Sequence, residues 1–258
     1  MTFRKGIEDI KVVRNIKLNA RHFLLELLAN DELPEILPGQ FVQALIINSP
    51  TTLLRRPFSI HTVNYGENTF RLLVQIRGKG TLRLSQTAVG EKLNLIYPLG
   101  NSFSLPVGTD VLLVGGGCGV APLLFLAQHL EKKLFKPTIL TGWKSHKDIF
   151  ELEEYQQYGK ILITTEDGSE GEKGIVTDHS IFRNPMNKFH FIYCCGPEQM
   201  MKSVAKIAKT QGIGCEVSLE NTMACGFGAC LCCVTPTIHG NQRVCVEGPV
   251  FNTSELGW

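Results

Sequence analysis

The sequence has almost no excess of charge of either sign, which argues against proteins that bind their partners by bulk electrostatics. Its 26 Lys and Arg residues are balanced by 24 Asp and Glu residues, giving a formal net charge of +2 at pH 7. The basic residues are scattered along the chain and form no cluster that could follow a phosphate backbone. We therefore expect no nucleic acid among its partners.

The sequence predicts neither a secretory signal nor an unbroken membrane span. Its opening, MTFRKGIEDIK, is polar and has neither the apolar region nor the cleavage site of a signal peptide. The uncharged run from Val111 to Leu130 is long enough to cross a bilayer, but three consecutive glycines and Pro122 divide it into a strand, a turn and a helix. The sequence predicts a cytoplasmic protein without a membrane segment, in which thiols stay reduced.

Cysteine, by contrast, is unusually dense near the C-terminus, where five of the nine cysteines lie between Met223 and Cys245. The pattern C-x4-C-x2-C-x11-C is formed by Cys225, Cys230, Cys233 and Cys245. The spacing of the first three cysteines is that of a plant-type [2Fe–2S] centre, and the small residues in the first loop let the backbone turn its N–H groups toward the sulfides. A structural zinc site is the alternative, although zinc ligands usually come as two closely spaced pairs. The leftover Cys232 is expected to point away and pack as a small apolar side chain.

Hydrophobic periodicity predicts that the first part of the chain is built of β-strands and that the second part has an α/β architecture. Residues 1–107 contain short apolar strands separated by Gly, Pro and Asn, as in an antiparallel β-barrel. Residues 108–220 alternate strands and helices, which predicts a doubly wound parallel sheet; helices are expected through Leu130, around 149–158, near Val176 and over 198–211. CEVSLE is expected to be the last strand, and residues 221–258 form a small cysteine-rich tail.

Two short motifs in the barrel are suited to a phosphate-containing cofactor. RRPFS covers Arg55 to Ser59 and RGKGT covers Arg77 to Thr81. Each alone is typical of a strand start or a turn. Together they place Thr81 as the cap of a helix N-terminus that can hold a pyrophosphate, and Arg56 as a forked cationic contact.

A third motif, VGGGCGVAP, follows a buried strand and opens a helix, which is nearly the dinucleotide-binding pattern, with Pro122 in place of its third glycine. A simple glycine-rich turn is the alternative. The acidic residue expected about 20 positions further on is not evident in TGWKS. Acidic residues follow the third strand instead, in TTEDGSEGE, and their charge favours NAD over NADP because it would repel a 2′-phosphate.

The motifs R-P-x-S, G-x-G-T, G-G-G-x-G-x-x-P and C-G-P together resemble the ferredoxin–NADP reductase superfamily. With the cysteine pattern and VEGPVF, the whole chain resembles the electron-transfer subunits of the NAD-dependent, two-subunit dihydroorotate dehydrogenases of bacterial pyrimidine synthesis. The resemblance implies an FAD-binding barrel, an NAD-binding domain and a [2Fe–2S] tail. The FAD contacts it implies are Arg56, Pro57, Phe58, Ser59, Gly78, Gly80 and Thr81. The NAD contacts it implies are Gly116, Gly117, Gly119, Pro122, Asp167, Gly168, Cys195, Gly196 and Pro197.

The same resemblance implies a subunit of an oxidoreductase. Its FMN-containing partner subunit would oxidise dihydroorotate, in a complex of two plus two subunits, and electrons would pass through [2Fe–2S] to FAD and as hydride to NAD. No catalytic side chain is predicted, because the cofactors carry the chemistry and no His/Asp/Ser arrangement indicates hydrolysis; His61 and His179 are expected to be structural or surface residues. Two other functions remain open: the small subunit of an NAD(P)H:ferredoxin or sulfide oxidoreductase, and a zinc-stabilised nucleotide-binding module without redox activity.

Overall fold

The computed structural model describes residues 6–47, 49, 52–183 and 189–258. In this part of the chain, six strands close into an antiparallel barrel in the order β1–β2–β5–β4–β3–β6. These are β1 (Gly6–Lys17), β2 (His22–Leu28), β3 (Phe41–Ala44), β4 (Arg56–Asn64), β5 (Thr69–Gln75) and β6 (Lys92–Leu99), with the short helix α1 (Lys79–Ser85) between β5 and β6. Their inward Val, Ile, Leu and Phe side chains form one buried core. The barrel predicted from the apolar strands is confirmed.

The second half is built on a sheet that, within the described residues, has seven strands in the order β10–β9–β8–β7–β11–β12–β15. Its successive elements are β7 (Val111–Gly116), α2 (Ala121–Glu131), β8 (Thr138–Trp143), α3 (Leu152–Gln156), β9 (Lys160–Thr165), β10 (Glu172–Lys173), β11 (Phe191–Cys195), α4 (Glu198–Gln211) and β12 (Gly214–Ser218). The buried residues of α2 and α4 belong to two different cores. The helices therefore cover both faces, and the doubly wound arrangement is confirmed.

Within the described residues, one of the predicted helices is absent and one is shorter than expected. Hydrogen bonds to carboxylates explain the first difference, and a residue in the left-handed conformation explains the second. The helix expected near Val176 is wrong: the chain forms single 3-10 turns at Val176–Asp178 and Ser180–Phe182. There the carboxylates of Asp178 and Glu172 accept the backbone N–H groups of nearby residues, which favours tight turns over a continuous helix. The helix expected over 149–158 shortens to α3, because Glu151 before it adopts a left-handed conformation with φ of 55°.

The tail is less separate than the sequence suggested. Its first strands, β13 (Val234–Thr237) and β14 (Gly240–Arg243), form a hairpin, but β15 (Val250–Asn252) pairs antiparallel with β12 and completes the large sheet. The expectation that CEVSLE is the last strand is therefore wrong. The reason is that β12 presents a free edge to which an apolar segment of the tail can add.

The uncharged run from Val111 to Leu130 folds as predicted into β7, a 3-10 turn at Gly117–Val120 and most of α2. No helix in the described ranges combines the length and apolar character that crossing a bilayer requires.

Candidate functional site

A cavity of about 720 Å³ lies between the barrel and the segment that follows β12. Its volume is within the range of about 300–1,000 Å³ that is typical of cofactor sites. It is lined by β4, by the first turn of α1 and by residues 218–223. All the residues predicted to contact FAD line it: Arg56, Pro57, Phe58, Ser59, Gly78, Gly80 and Thr81. The structure thus brings this predicted set together.

The first turn of α1 corrects one detail of the prediction. The N-cap of α1 is Gly78, and Thr81 is the third residue of the helix. The Thr81 hydroxyl accepts hydrogen bonds from the N–H groups of Arg77 (2.9 Å) and Gly78 (3.1 Å). Thr81 therefore closes a capping box from the third helical position and is not the cap residue itself. The first-turn N–H groups, which have no partner inside a helix, belong to Lys79, Gly80 and Thr81, and all three residues line the cavity.

The charges around the cavity are suited to a phosphate group at one end. The cationic side chains in its lining are those of Arg56, Arg77 and Lys79, and the acidic one is Glu220. Glu220 is open to the cavity but enclosed by protein, and this burial raises its pKa, while the nearby Arg77 opposes the shift. Sequence reasoning missed Glu220. Its position as the final residue of the last predicted nucleotide-domain strand, just before the cysteines, was the available signal.

The glycine-rich turn after β7 lies against the end of β11. A Cβ added to Gly119 would stand 2.4 Å from the carbonyl oxygen of Cys195, so only glycine permits this approach. A Cβ on Gly116 would lie 3.1 Å from Cδ of Pro197. Since β8 and β11 flank β7 on opposite sides, strand order reverses here, which is where open α/β sheets bind dinucleotides. The predicted NAD residues that meet at this point are Gly116, Gly117, Gly119, Pro122, Cys195, Gly196 and Pro197.

The other two predicted NAD residues are elsewhere on the same edge. Asp167 and Gly168 follow β9, and β8 lies between β9 and β7, so they are displaced by two strand spacings, roughly 10 Å. The side-chain and backbone groups of Ser169 hydrogen-bond to the Asp167 carboxylate and lower its pKa. These residues border the side expected for the adenosine half. They do not lie beside Cys195, and their contact with NAD stays a prediction.

In the cysteine loop, side-chain hydrogen bonds join the cysteines in two pairs. Cys225 hydrogen-bonds with Cys230, and Cys233 with Cys245. Burial works to raise the pKa of Cys225, but hydrogen bonds from the N–H groups of Phe227, Cys230 and Ala229 and from the Cys230 side chain outweigh it and lower the pKa to about 6. Burial, followed by the neighbouring Cys233, raises the pKa of Cys245 to about 12. The pair Cys225 and Cys230 is thus partly exposed, whereas Cys233 and Cys245 are both buried.

This arrangement fits a two-iron centre better than a single metal ion. Among the residues that the structure describes, no three His, Cys, Asp or Glu side chains converge closely enough to hold one ion, whereas structural zinc needs four ligands on one ion. A [2Fe–2S] centre has two irons with two protein ligands each, which matches two cysteine pairs. Cys232 is exposed, so it does point away from its buried neighbour, but the expectation that it packs as an apolar side chain is wrong.

Backbone and side-chain contacts hold the cysteine loop in place. The N–H of Ala229 donates to Sγ of Cys225 at 3.3 Å, and the N–H of Cys245 donates to Sγ of Cys233 at 3.4 Å. The guanidinium of Arg243 donates to the carbonyl of Gly228 at 3.3 Å. Such donors stabilise negative charge on sulfur.

The remaining predicted residues have structural roles or line the cavity. His61 is fully buried in β4, and its Nδ1 donates to the carbonyl of Ala121 at 2.8 Å, which links the barrel to α2. His179 is buried and accepts the N–H of Ile181. Cys118 lines the cavity, and burial raises its pKa to about 12, so its thiol stays protonated.

Two family models match the chain: the iron-sulfur cluster binding domain of dihydroorotate dehydrogenase B over residues 220–257 and an oxidoreductase NAD-binding domain over residues 113–206. Two similar proteins carry the name dihydroorotate dehydrogenase B (NAD(+)), electron transfer subunit. The one from Caldanaerobacter subterraneus is 39% identical over 85% of this chain and 86% of its own. The one from Desulforamulus reducens is 36% identical over 97% of this chain and 98% of its own.

Among solved structures, the NADH-dependent reduced ferredoxin-NADP oxidoreductase aligns with a TM-score of 0.88 and 29% identity, covering 98% of this chain and 91% of the matched chain. The fold, the cysteine tail and the identity to relatives over nearly the whole chain agree. The chain therefore belongs to the family of dihydroorotate dehydrogenase B (NAD(+)) electron transfer subunits.

Proposed function

We propose that the chain is the electron-transfer subunit of an NAD-dependent dihydroorotate dehydrogenase in pyrimidine biosynthesis, with FAD and a [2Fe–2S] centre as cofactors and NAD as substrate. The observation that carries this proposal is the path of the backbone after β12. Met223 lines the cavity, and Cys225 follows two residues later, a distance of at most about 7 Å along the chain. A flavin in the cavity and a cluster in the loop would therefore be close neighbours.

For FAD, the barrel would supply the contacts and the charge. Arg56, Arg77 and Lys79 would neutralise the pyrophosphate beside the first turn of α1, and Pro57, Phe58 and Ser59 of β4 would hold the ring system. When bound, FAD links one-electron transfer to the cluster with two-electron hydride transfer to NAD. The turn after β7 borders the same cavity through Cys118, so NAD held at the ends of β7 and β11 could reach it.

For the cluster, we assign Cys225 and Cys230 to one iron and Cys233 and Cys245 to the other, which the two observed cysteine pairs support. The exposed pair would face the source of electrons. Around it, the apolar side chains of Phe227 and Leu231 are 53% and 63% exposed. We propose that these two exposed apolar side chains form part of the surface that meets the partner subunit.

The family name implies a partner subunit, and we propose that this partner is the FMN-containing, dihydroorotate-oxidising subunit, joined in a complex of two plus two. The unpaired state of the nine cysteines supports a reducing, cytoplasmic location. The partner and the two-plus-two stoichiometry are checked by purifying the complex from its native cells and measuring its mass and its flavin content, and the location is checked by cell fractionation.

The test of the proposed function is Cys230→Ser in the anaerobically purified complex, with the exposed neighbour Cys232→Ser as the matched control. We expect Cys230→Ser to lose or destabilise the cluster and electron flow from the partner's FMN, while FAD-dependent NADH oxidation by artificial acceptors persists. Cys232→Ser should change neither. Iron and sulfide analysis, EPR and the two activities are the measurements. Full electron flow from FMN in Cys230→Ser would show that the ligand assignment is wrong.

A second function is favoured by one specific observation, the alignment at a TM-score of 0.88 with the NADH-dependent reduced ferredoxin-NADP oxidoreductase. This function is the small subunit of an NAD(P)H:ferredoxin oxidoreductase. The large protein that co-purifies decides between the two, because an FMN protein that oxidises dihydroorotate supports the first and a larger iron–sulfur flavoprotein supports the second.

A further inference from the structure

Gln43 of β3 is a buried amide whose polar atoms have no partner. Its side chain is fully buried, and neither Nε2 nor Oε1 has a hydrogen-bond partner among the described residues. Nearly all buried polar groups in native proteins are hydrogen-bonded. An amide with both ends unsatisfied therefore points to a group that binds beside it.

A second buried glutamine, Gln40, which immediately precedes β3, shows the ordinary arrangement. Oε1 of Gln40 accepts the N–H of Leu37 at 2.8 Å, and its Nε2 donates to the carbonyl of Gly100 at 3.1 Å. Both ends of that amide are satisfied by backbone. A buried glutamine in this barrel can thus find hydrogen-bond partners. The amide of Gln43 is unpaired because of where it lies.

The amide of Gln43 lies directly against the cysteine loop. A Cβ added to Gly226 would stand 2.4 Å from Cγ of Gln43 and 3.0 Å from its Nε2. Gly226 immediately follows Cys225, whose sulfur already accepts the N–H of Ala229. The amide is therefore packed on the backbone of the residue next to a sulfur that collects hydrogen-bond donors.

The same face of β3 also reaches the flavin cavity. Phe41 lines the cavity, and residues two apart on a strand point to the same side. Phe41 also shares a core with Cys233 and Cys245. Gln43 thus lies on the strand face between the cavity and the cysteines. Arg55 bonds to the backbone carbonyl of Gln43 at 3.2 Å, which fixes the strand and leaves the side-chain amide free.

We propose that Gln43 is a positioning residue of the iron–sulfur centre, whose amide N–H donates a hydrogen bond to the Cys225 sulfur or to a cluster sulfide. This inference rests on the proposed function, in which Cys225 is a cluster ligand. Reduction adds negative charge to the cluster sulfurs, so an N–H donor stabilises the reduced form more than the oxidised form. Gln43 therefore raises the reduction potential of the centre from its position on a rigid barrel strand.

The direct test uses the unmodified protein. Holoprotein is made by cell-free synthesis with glutamine labelled with 15N at the side-chain amide, and the reduced cluster is examined by pulsed EPR for hyperfine coupling to that nitrogen. We expect a coupling that disappears in Gln43→Leu and persists in Gln40→Leu. A reduced [2Fe–2S] signal without any glutamine 15N coupling would overturn the inference.

The second test is an EPR-monitored redox titration of the same variants. Loss of one hydrogen bond to a charged group should lower the ratio of reduced to oxidised cluster at a fixed potential by roughly tenfold in Gln43→Leu, equivalent to about 59 mV. Gln40→Leu should leave the potential unchanged. An unchanged potential in a fully loaded Gln43→Leu protein contradicts the inference.

The outcomes separate this inference from the proposed function. If the wild-type holoprotein contains no [2Fe–2S] centre, the proposed function itself fails. If the centre is present and shows no coupling to glutamine, only the role of Gln43 fails. If Gln43→Leu does not assemble a cluster, the 15N measurement on the wild-type protein decides alone.

Discussion

Replacing Gly226 by alanine should detach the cysteine loop from the barrel, and the cost has two separable causes. Gly226 has φ of +78°, a left-handed conformation that costs an L-residue about 1–2 kcal/mol. The new Cβ would also stand 2.4 Å from Cγ of Gln43, and overpacking of this kind costs about 1–3 kcal/mol. Together, the two effects should destabilise the closed loop by about 2–5 kcal/mol.

Gly240 is a matched control, because it has φ of +90° but no heavy atom within 4 Å of an added Cβ. Gly240→Ala should therefore show only the conformational cost. A double variant, Gly226→Ala with Gln43→Ala, removes the colliding side chain and should restore the packing part of the loss. The expected coupling between the two positions is about 1–3 kcal/mol.

The assay is the rate of cluster release to a chelator, followed by visible circular dichroism, because cofactor loss prevents a reversible two-state analysis. The collision between the new Cβ and Gln43 exists only while the loop is closed. It therefore destabilises the closed loop and increases the rate of cluster release. About 1.4 kcal/mol corresponds to a tenfold change; a packing cost of about 1–3 kcal/mol therefore predicts that Gly226→Ala releases the cluster at least about fivefold faster than Gly240→Ala. Equal rates in the two variants, or no recovery in the double variant, would refute the reasoning.

Three further predictions concern the nucleotide domain and the interface with the barrel. Gly119→Ala should separate the ends of β7 and β11, because its Cβ would stand 2.4 Å from the Cys195 carbonyl oxygen. The KM for NADH should rise by about tenfold or more while FAD remains bound, since small misplacements at a site are costly; an unchanged KM in steady-state NADH oxidation would contradict this. Burial lowers the pKa of His22 from 6.5, so the unfolded chain binds more protons and stability should decrease as the pH falls below about 6.5. His22→Gln should reduce that loss in melting curves between about pH 5 and pH 6.5, whereas the exposed His239→Gln should not; parallel curves for both variants would disprove the assignment. Tyr155→Phe removes a buried hydrogen bond of 2.9 Å to the carbonyl of Val120, which precedes α2, and the loss of this bond should cost about 0.5–1.5 kcal/mol. Thermal melting checks this, and an undiminished melting temperature would show that the bond adds nothing to stability.

Local patterns identified much of this protein because the physics behind them is local. Strand periodicity separates the barrel from the parallel sheet, and the spacing of Cys225, Cys230 and Cys233 reflects how a loop wraps a two-iron centre. Each of the two barrel motifs stays together because its residues are adjacent in the sequence. The fold of the barrel then brings the motifs of β4 and α1 to a common cavity. The position of Thr81 within its helix was off by a few residues, since helix ends depend on which side chain takes the first backbone N–H groups.

Other features depend on contacts between distant segments. The polar Gln43 within an apolar strand and Glu220 after β12 were visible as residue types, but not as neighbours of the loop and the cavity. The displacement of Asp167 from Cys195 follows from strand order, with β8 between β9 and β7. Strand order is decided by crossover connections and not by any one segment.

The amino-acid sequence by itself determined the two architectures and the spacing of the cysteines, because periodicity and spacing express the geometry of single segments, while the full set of cofactors followed from the resemblance to a family. Only the tertiary structure decided that the tail completes the sheet through β15, that the four cysteines form two pairs, and that an unpaired amide of the barrel lies against their loop. These relations join residues far apart in the chain, and they depend on which sheet edge is free and which side chains meet when the two domains pack together.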